Sequence, residues 1–382
     1  MAVSEHISST SRHGTALVRC QDYDPANVRS AIRQALELAG HPEQFIKSGD
    51  RILLKPNMLS AKEPEKAVTT HPEVITAVGE IVLDCGGKVI LGDSPAGQPK
   101  SLEKYWQKTG MAEAAKRLGI ELVSFESGRT KSFSTLAGHV NISCIALEAD
   151  GIINLPKLKT HTLTRMTGAV KNMFGTVPGF RKGHIHSLAP AALPFSRYIV
   201  AVYQHVKPDL NIMDAVIGME GNGPSAGKPK HVGTILVSQD AFAIDNAAAR
   251  IMNMNKSDLP IFQAAEEAGL WDGAEDNLFI GGELSDFTID DFVQPDVSRI
   301  ERLPKFVQKS LSRLVWIRPK AEPKLCTACE LCVDNCPEKA MEMNHEIPRI
   351  DYDKCIKCGC CDEVCQDGAI YQEMSLLAKL LA

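Results

Sequence analysis

The chain has 382 residues, 44% of them hydrophobic, and a formal net charge of -5. That length allows two domains, or one large domain with an appendage. The acidic balance argues against a general nucleic-acid binder, and no run reaches the roughly 18 apolar residues of a transmembrane segment. Residues Met1 to Gly14 are polar and lack the apolar core of a secretory signal, so a cytoplasmic protein is expected.

The elements alternate from the start. Residues 15–20 read as a strand, and Asp24-Pro25 caps a helix to about Leu38, closed by Gly40. Residues 51–55 form an apolar run stopped by Pro56, which predicts a buried strand. Thr70 is the expected cap of a helix over 72–85 that ends at Gly86-Gly87. A strand over 88–91, a helix around 101–118 and a strand over 120–124 follow. Further strands are expected near 142–147, 151–155, 209–214 and 232–238, and helices near 164–174, 195–206, 240–253 and 257–268. This rhythm predicts an α/β fold, a mostly parallel sheet with flanking helices, over residues 1–300. Pro304 then opens a basic amphipathic linker helix over 301–323, with Val307, Leu311, Leu314 and Val315 on one face and Lys305, Lys309 and Arg313 on another. Such a basic face suits an acidic redox partner, a ferredoxin-like or flavodoxin-like protein.

Charge is unevenly spread within the large domain. From Gly151 to Pro208 there is no Asp or Glu, while eight Lys or Arg and four His are present. Lys157, Lys159 and His161 alternate after an apolar strand, so extended geometry turns them the same way. Ligands of open parallel sheets bind at the carboxyl ends of the strands. Thr164, Thr167 and Lys171 would share a face of the next helix, which Asn172 helps to end. Lys55 and Asn57 stand at the end of another strand, as do Asp93 and Asp214. Together these residues point to a pocket for an anionic small molecule. Lys55, Asn57, Lys157, Lys159, Asn172 and Asp214 would bind it, and His161 and Lys171 would serve its chemistry, His161 as proton donor. His184 and His186 alternate on an expected loop and are weak candidates for metal.

The tail holds two runs of spacing C-x-x-C-x-x-C-x-x-x-C: Cys326, Cys329, Cys332 and Cys336, then Cys355, Cys358, Cys361 and Cys365. Zinc sites pair two C-x-x-C knuckles rather than two triplets. The tail, 324–382, resembles a bacterial-type ferredoxin, a small α+β domain with two [4Fe-4S] clusters. That resemblance implies crossed ligation, in which the fourth cysteine of each run serves the other cluster. One cluster would take Cys326, Cys329, Cys332 and Cys365, the other Cys355, Cys358, Cys361 and Cys336. Cys20, Cys85 and Cys144 remain as free thiols, and Cys360 as a bystander beside a ligand. Cluster thiolates require a reducing compartment.

Residues 15–300 resemble the domain-of-unknown-function family 362 proteins, in the branch carrying a ferredoxin-type module. The resemblance rests on Lys55-Pro56-Asn57, Gly92-Asp93-Ser94-Pro95, Lys157-Leu158-Lys159-Thr160-His161, Lys171-Asn172-Met173-Phe174-Gly175 and the run Asp214 to Pro224. It implies an association with iron–sulfur chemistry and leaves the reaction open. The expected function is a redox protein passing electrons through the clusters to an anionic substrate. A dedicated electron carrier or a redox sensor, with the large domain as a docking module, is the alternative.

Overall fold

A computed structural model describes residues 14–39, 41–97, 100–126, 128–272, 279–295 and 316–377. The chain begins with β1 (Thr15–Arg19), α1 (Pro25–Ala39), β2 (Arg51–Pro56), α2 (Pro72–Asp84) and β3 (Lys88–Asp93). There follow α3 (Leu102–Lys108), α4 (Met111–Leu118), β4 (Leu122–Ser124) and a hairpin of β5 (Thr130–Thr135) and β6 (Gly138–Ser143). After α5 (Cys144–Leu147) come β7 (Gly151–Leu155), β8 (Lys157–His161), β9 (Arg165–Thr167), α6 (Ala169–Asn172), α7 (Phe180–Leu188) and α8 (Ala192–His205). Then come β10 (Leu210–Glu220), β11 (Lys228–Ser238), α9 (Ala241–Ile251), α10 (Pro260–Glu267) and β12 (Phe279–Ile280).

The main sheet runs β12-β1-β11-β10-β7-β2-β3-β4, with β8 and β9 joined to the far half of β10. The block β10-β7-β2-β3-β4 is parallel, and β11 is antiparallel to both β10 and β1. The expected mostly parallel sheet with helices on its faces is therefore present. Burial on both faces explains the apolar runs. Ile52 and Leu54 face a core shared with α1, α2 and α4, while Leu53 faces a core shared with α8, α9 and α10.

Several local expectations differ. The helix over 101–118 is two helices, because Gly110 takes φ +76° between α3 and α4. His71, not Thr70, caps α2, its ring accepting from Glu73 N–H. Residues 142–147 are the end of β6 followed by α5 rather than a strand. The helix expected over 164–174 is β9 followed by the short α6, so Thr164, Thr167 and Lys171 do not share a helical face. Its periodicity was helical by coincidence; pairing with β8 decides the backbone. Asp214 lies inside β10 rather than at its end.

The second unit starts with β13 (Ile317–Ala321), which pairs antiparallel with β16 (Ile370–Met374); β14 (Met341–Asn344) and β15 (Ile347–Ile350) form a hairpin. The basic linker helix expected over 301–323 lies outside the described residues up to 315, and its last part is strand β13. Two short helices, Leu331–Asp334 and Cys360–Val364, follow the two cysteine loops and pack together on a small apolar core.

Gly168 illustrates how tightly the large unit is built. A Cβ there would lie 2.2 Å from Asp245 Oδ1. That carboxylate is pinned by the N–H groups of Ala169 at 2.5 Å and Val170 at 3.1 Å, so it cannot swing aside. Gly168→Ala should therefore cost about 2 kcal/mol, read as a lower urea midpoint; an unchanged midpoint would show that the loop absorbs a methyl group freely.

Candidate functional site

Lys55, at the end of β2, is fully buried and pairs with Asp93 Oδ1, at the end of β3, at 2.8 Å. Asp93 also accepts from the N–H groups of Met58 and Ser94, each at 2.8 Å. Gly175 closes over this pair, and a Cβ there would stand 2.3 Å from Asp93 Oδ1 and 2.7 Å from Lys55 Nζ. The glycine of the Lys-Asn-Met-Phe-Gly motif is thus required by close approach.

The alternating residues of β8 are buried along with the rest of that strand, but they diverge. Lys157 Nζ turns to Asp214 Oδ2 and to the Tyr23 hydroxyl, 2.7 Å from each. The Tyr23 hydroxyl donates to Asp214 Oδ1 at 2.8 Å, and its ring stacks on His71 at 3.6 Å. Lys159 Nζ donates to Asn57 Oδ1 and to the Val68 carbonyl, 2.7 Å each. Burial and the like charge of Lys171 push the Lys159 ammonium well below its ordinary pKa. His161 Nδ1 accepts from Leu163 N–H at 3.0 Å, so the proton sits on Nε2. Nε2 stands 3.2 Å from Glu363 Oε1. Lys157 and Asp214 therefore satisfy each other away from the others, while Lys159 and His161 stand behind the Glu363 carboxylate. The shared direction expected along β8 does not bring its three cationic-capable groups to one ligand.

Asn57 and Asn172 belong to a chain of amides. Asn57 Nδ2 donates to Asn172 at 2.9 Å, Asn172 to Asn154 at 2.7 Å, and Asn154 to Asn211 at 2.9 Å. Most of their hydrogen-bonding capacity is spent on positioning β2, β7, β10 and α6.

A cavity opens where the carboxyl ends of β2 and β3 meet α6, α7 and the second unit. It offers about 80 Å3 to the centres of water-sized molecules. The large unit contributes Lys55, Asp93, Lys171, Lys182 and His186 to its wall, and the second unit contributes Asn335, Cys360, Glu363 and Val364. Lys182 Nζ donates to the Ser94 carbonyl at 2.8 Å, and burial lowers its pKa to about 8. Lys171 has no hydrogen bond or ion pair among the described residues; its main charge neighbours are Glu363 and Cys360. His186 is 4% exposed and stacked on Phe195, with no partner for Nδ1 among the described residues. Burial lowers both His161 and His186 to about 4, so both are neutral near pH 7. Burial opposes ionisation of Glu363, but His161, Lys171 and His186 outweigh it and hold the carboxyl well below the usual range.

Glu363, Lys182 and Cys360 were not among the expected ligand-site residues, and His186, considered only as a weak metal candidate on a loop, stands on α7. A glutamate inside a cysteine run carries no local sign of a partner some two hundred residues away. Cys360, read as a bystander, sits between Cys358 and Cys361 and lines both this cavity and the neighbouring one of the second cysteine set.

Each crossed set of cysteines surrounds a cavity of its own. Cys336, Cys355, Cys358 and Cys361 line one, and Cys326, Cys329, Cys332 and Cys365 line the other. The two loops repeat their backbone: Ala328 and Glu330 in the first, and Lys357 and Gly359 in the second, all have φ between 53° and 83°. Each fourth cysteine receives a backbone N–H, Ala340 to Cys336 Sγ at 3.2 Å and Ala369 to Cys365 Sγ at 3.1 Å. Thiol-only donors, enclosed space and backbone donors aimed at sulfur fit iron–sulfur ligation. Among the described residues no three His, Cys, Asp or Glu side chains close on a single metal ion.

Comparison with known proteins agrees with both halves. The model of the Domain of unknown function (DUF362) matches residues 52–250. The chain belongs to this family. The model of a 4Fe-4S dicluster domain matches residues 318–366, so the second unit is a 4Fe–4S ferredoxin-type module with an electron-transfer role. A thylakoid-associated protein of Synechocystis sp. is 36% identical over 284 residues, 74% of this chain and 88% of that protein. A pyruvate synthase subunit of Methanothermobacter marburgensis is 39% identical over 56 residues, 15% of this chain and 65% of the subunit. A 7Fe ferredoxin of Hydrogenibacillus schlegelii is 40% identical over 52 residues, 14% of this chain and 67% of its own length. Lactate racemase apoprotein of Thermoanaerobacterium thermosaccharolyticum aligns with TM-score 0.43 and 10% identity, over 64% of this chain and 58% of that one. No described helix is long and apolar enough to cross a membrane.

Glu363 joins the two units of this family member. Replacing it by Gln keeps the shape but removes the carboxylate that faces Lys171 and His161. The module's docking should weaken by about 3 kcal/mol, seen as faster limited proteolysis within 316–377. Cleavage at the native rate would mean that apolar contacts alone hold the module.

Proposed function

We propose that electrons pass through two [4Fe-4S] clusters, held by the crossed cysteine sets, to an anionic small molecule bound in the cavity between the units. The observation that carries this reading is the Lys171 ammonium, without a hydrogen bond or ion pair among the described residues, in a cavity that is also lined by Cys360, between two cysteines of the second set. When bound, the clusters supply single electrons at low potential. Lys171 holds the anionic group, and Lys55 and Asp93 keep the wall rigid. His161 acts as a positioning residue by orienting Glu363, not as the proton donor first expected. Asn57 and Asn172 place Lys159 and the end of β2. Lys157 and Asp214 serve the fold from the far side of β8. In this reading residues 1–300 are the ligand-binding domain and 324–382 the electron-delivering one. Cys329, in the set with Cys326, Cys332 and Cys365, is exposed, whereas Cys336, Cys355, Cys358 and Cys361 of the other set are all partly or fully buried, which favours electron arrival at the first set from a ferredoxin-like or flavodoxin-like protein. Cluster thiolates suit a reducing compartment such as the cytoplasm.

Two experiments test the reading. In anaerobically purified protein, Cys336→Ser should remove about half of the iron, from the cluster held by Cys355, Cys358 and Cys361. Spectra showing loss of the cluster beside it in sequence would reject crossed ligation. Sulfate or a carboxylate should raise the native melting temperature, by an amount equivalent to about 2.7 kcal/mol at a hundredfold excess over Kd. Lys171→Gln should lose that stabilisation. Equal shifts in both proteins would reduce it to a general salt effect.

A further inference from the structure

Resting on the reading that Cys326, Cys329, Cys332 and Cys365 hold one cluster, we infer that Lys62 of the large unit is a positioning residue that raises the reduction potential of that cluster. Lys62 stands on the loop between β2 and α2 and is 9% exposed. Its backbone is held by a turn, Lys62 N–H donating to the Ser60 carbonyl at 2.8 Å. Nζ donates to the Ser225 carbonyl at 3.0 Å, in the loop between β10 and β11. The loop that follows Cys365 lies close by, and a methyl group on Gly368 would stand 3.8 Å from Lys62 Nζ. This loop serves the cluster directly, since the N–H of Ala369 reaches Cys365 Sγ at 3.1 Å. The main charge neighbours of Lys62 are Asp362, Cys365, Asp367 and Lys66. None of them lines the cavity of the other cysteine set.

A cluster gains one negative charge on reduction. A fixed cation near a ligand sulfur therefore favours the reduced form, and local charge is among the quantities that set a cluster's potential. Burial keeps the attraction from being screened by salt. Asp362 and Asp367 act in the opposite sense, and with Lys62 neutral only the exposed Lys66 would counter them on this side. Neutralising the lysine should lower the potential of this cluster alone.

Lys100 provides the comparison within the molecule. It donates to the Cys329 carbonyl at 3.0 Å. Its side chain is 59% exposed, however, and it shares its charge with Glu330 at 3.8 Å and Asp334 at 3.5 Å. Screening and these partners leave it a weaker hold on the cluster. Both lysines belong to the large unit, so the module's potential is in part a property of the unit on which it docks.

Redox titration followed by electron paramagnetic resonance, on the anaerobically purified full chain, tests the inference. Lys62→Gln keeps a donor for Ser225 and removes the charge. It should make one cluster about tenfold harder to reduce, a fall of about 59 mV for one electron, and leave the other potential in place. Lys62→Arg should keep the native value, and Lys100→Gln should shift the same cluster less than half as far. The potential that falls should be the one that survives Cys336→Ser. Should Lys62→Gln fail to load its clusters, Lys62→Met, with no polar atom to leave unpaired, takes its place. Two loaded clusters with unmoved potentials would overturn the inference and leave the ligation standing. So would an equal fall in Lys62→Arg, or a fall in the cluster that Cys336→Ser removes. A chain that binds no iron would overturn both.

Discussion

The Glu363 carboxylate leaves the ferredoxin module and is buried against Lys171 and His161 of the large unit. Both sides need the contact. Without it Lys171 would lose its main carboxylate neighbour, and the Glu363 carboxylate would lose the groups that stabilise its buried charge. Buried ion pairs contribute little net stability, because desolvation offsets their attraction. They are intolerant of misplacement, and that intolerance fixes register. Glu363 stands on the helix that follows the second cysteine loop, two residues from Cys361 and two from Cys365. Seating it therefore seats the cysteine sets against the cavity.

The large unit meets this demand through its sheet. Parallel strands bring their carboxyl ends to one edge, and β2 and β3 deliver Lys55 and Asp93 there as a closed pair. Pro156 interrupts what would be one long strand. Asp214 N–H bonds to its carbonyl, β8 starts along β10 in the register of β7, and that register shifts between Lys157 and Lys159. This shift separates the lysines: Lys157 faces Asp214 on one side, and Lys159 reaches Asn57 on the other. The amide chain from Asn57 through Asn172 and Asn154 to Asn211 ties the same strands together from within. Rigid polar groups of this kind keep a small cavity open beside Lys171 instead of letting it collapse.

Much of this was legible in the residues. The 4Fe–4S module was readable because a cubane constrains cysteine spacing over a few residues, and the four cysteines of each proposed crossed set line a separate cavity. The βαβ rhythm was readable because both sheet faces are buried, which leaves apolar runs of strand length. The motif residues also mark the right end of the sheet. Two errors share a cause. Helical spacing of Thr164, Thr167 and Lys171 was overridden by pairing of β9 with β8. The common direction of Lys157, Lys159 and His161 was overridden by partners that lie far off in sequence.

By itself, then, the amino-acid sequence determined the fold class, the family, the 4Fe–4S module with its two cysteine runs, and the basic stretch. Those properties depend on local spacing and on periodic burial, which short stretches of chain record. Tertiary structure decided which acid meets which base. Asp93 took Lys55, Asp214 took Lys157, and Glu363 took its place before Lys171 and His161. Coulombic and hydrogen-bond partners are chosen by distance in space, and the cavity exists only where two separately encoded units close on each other.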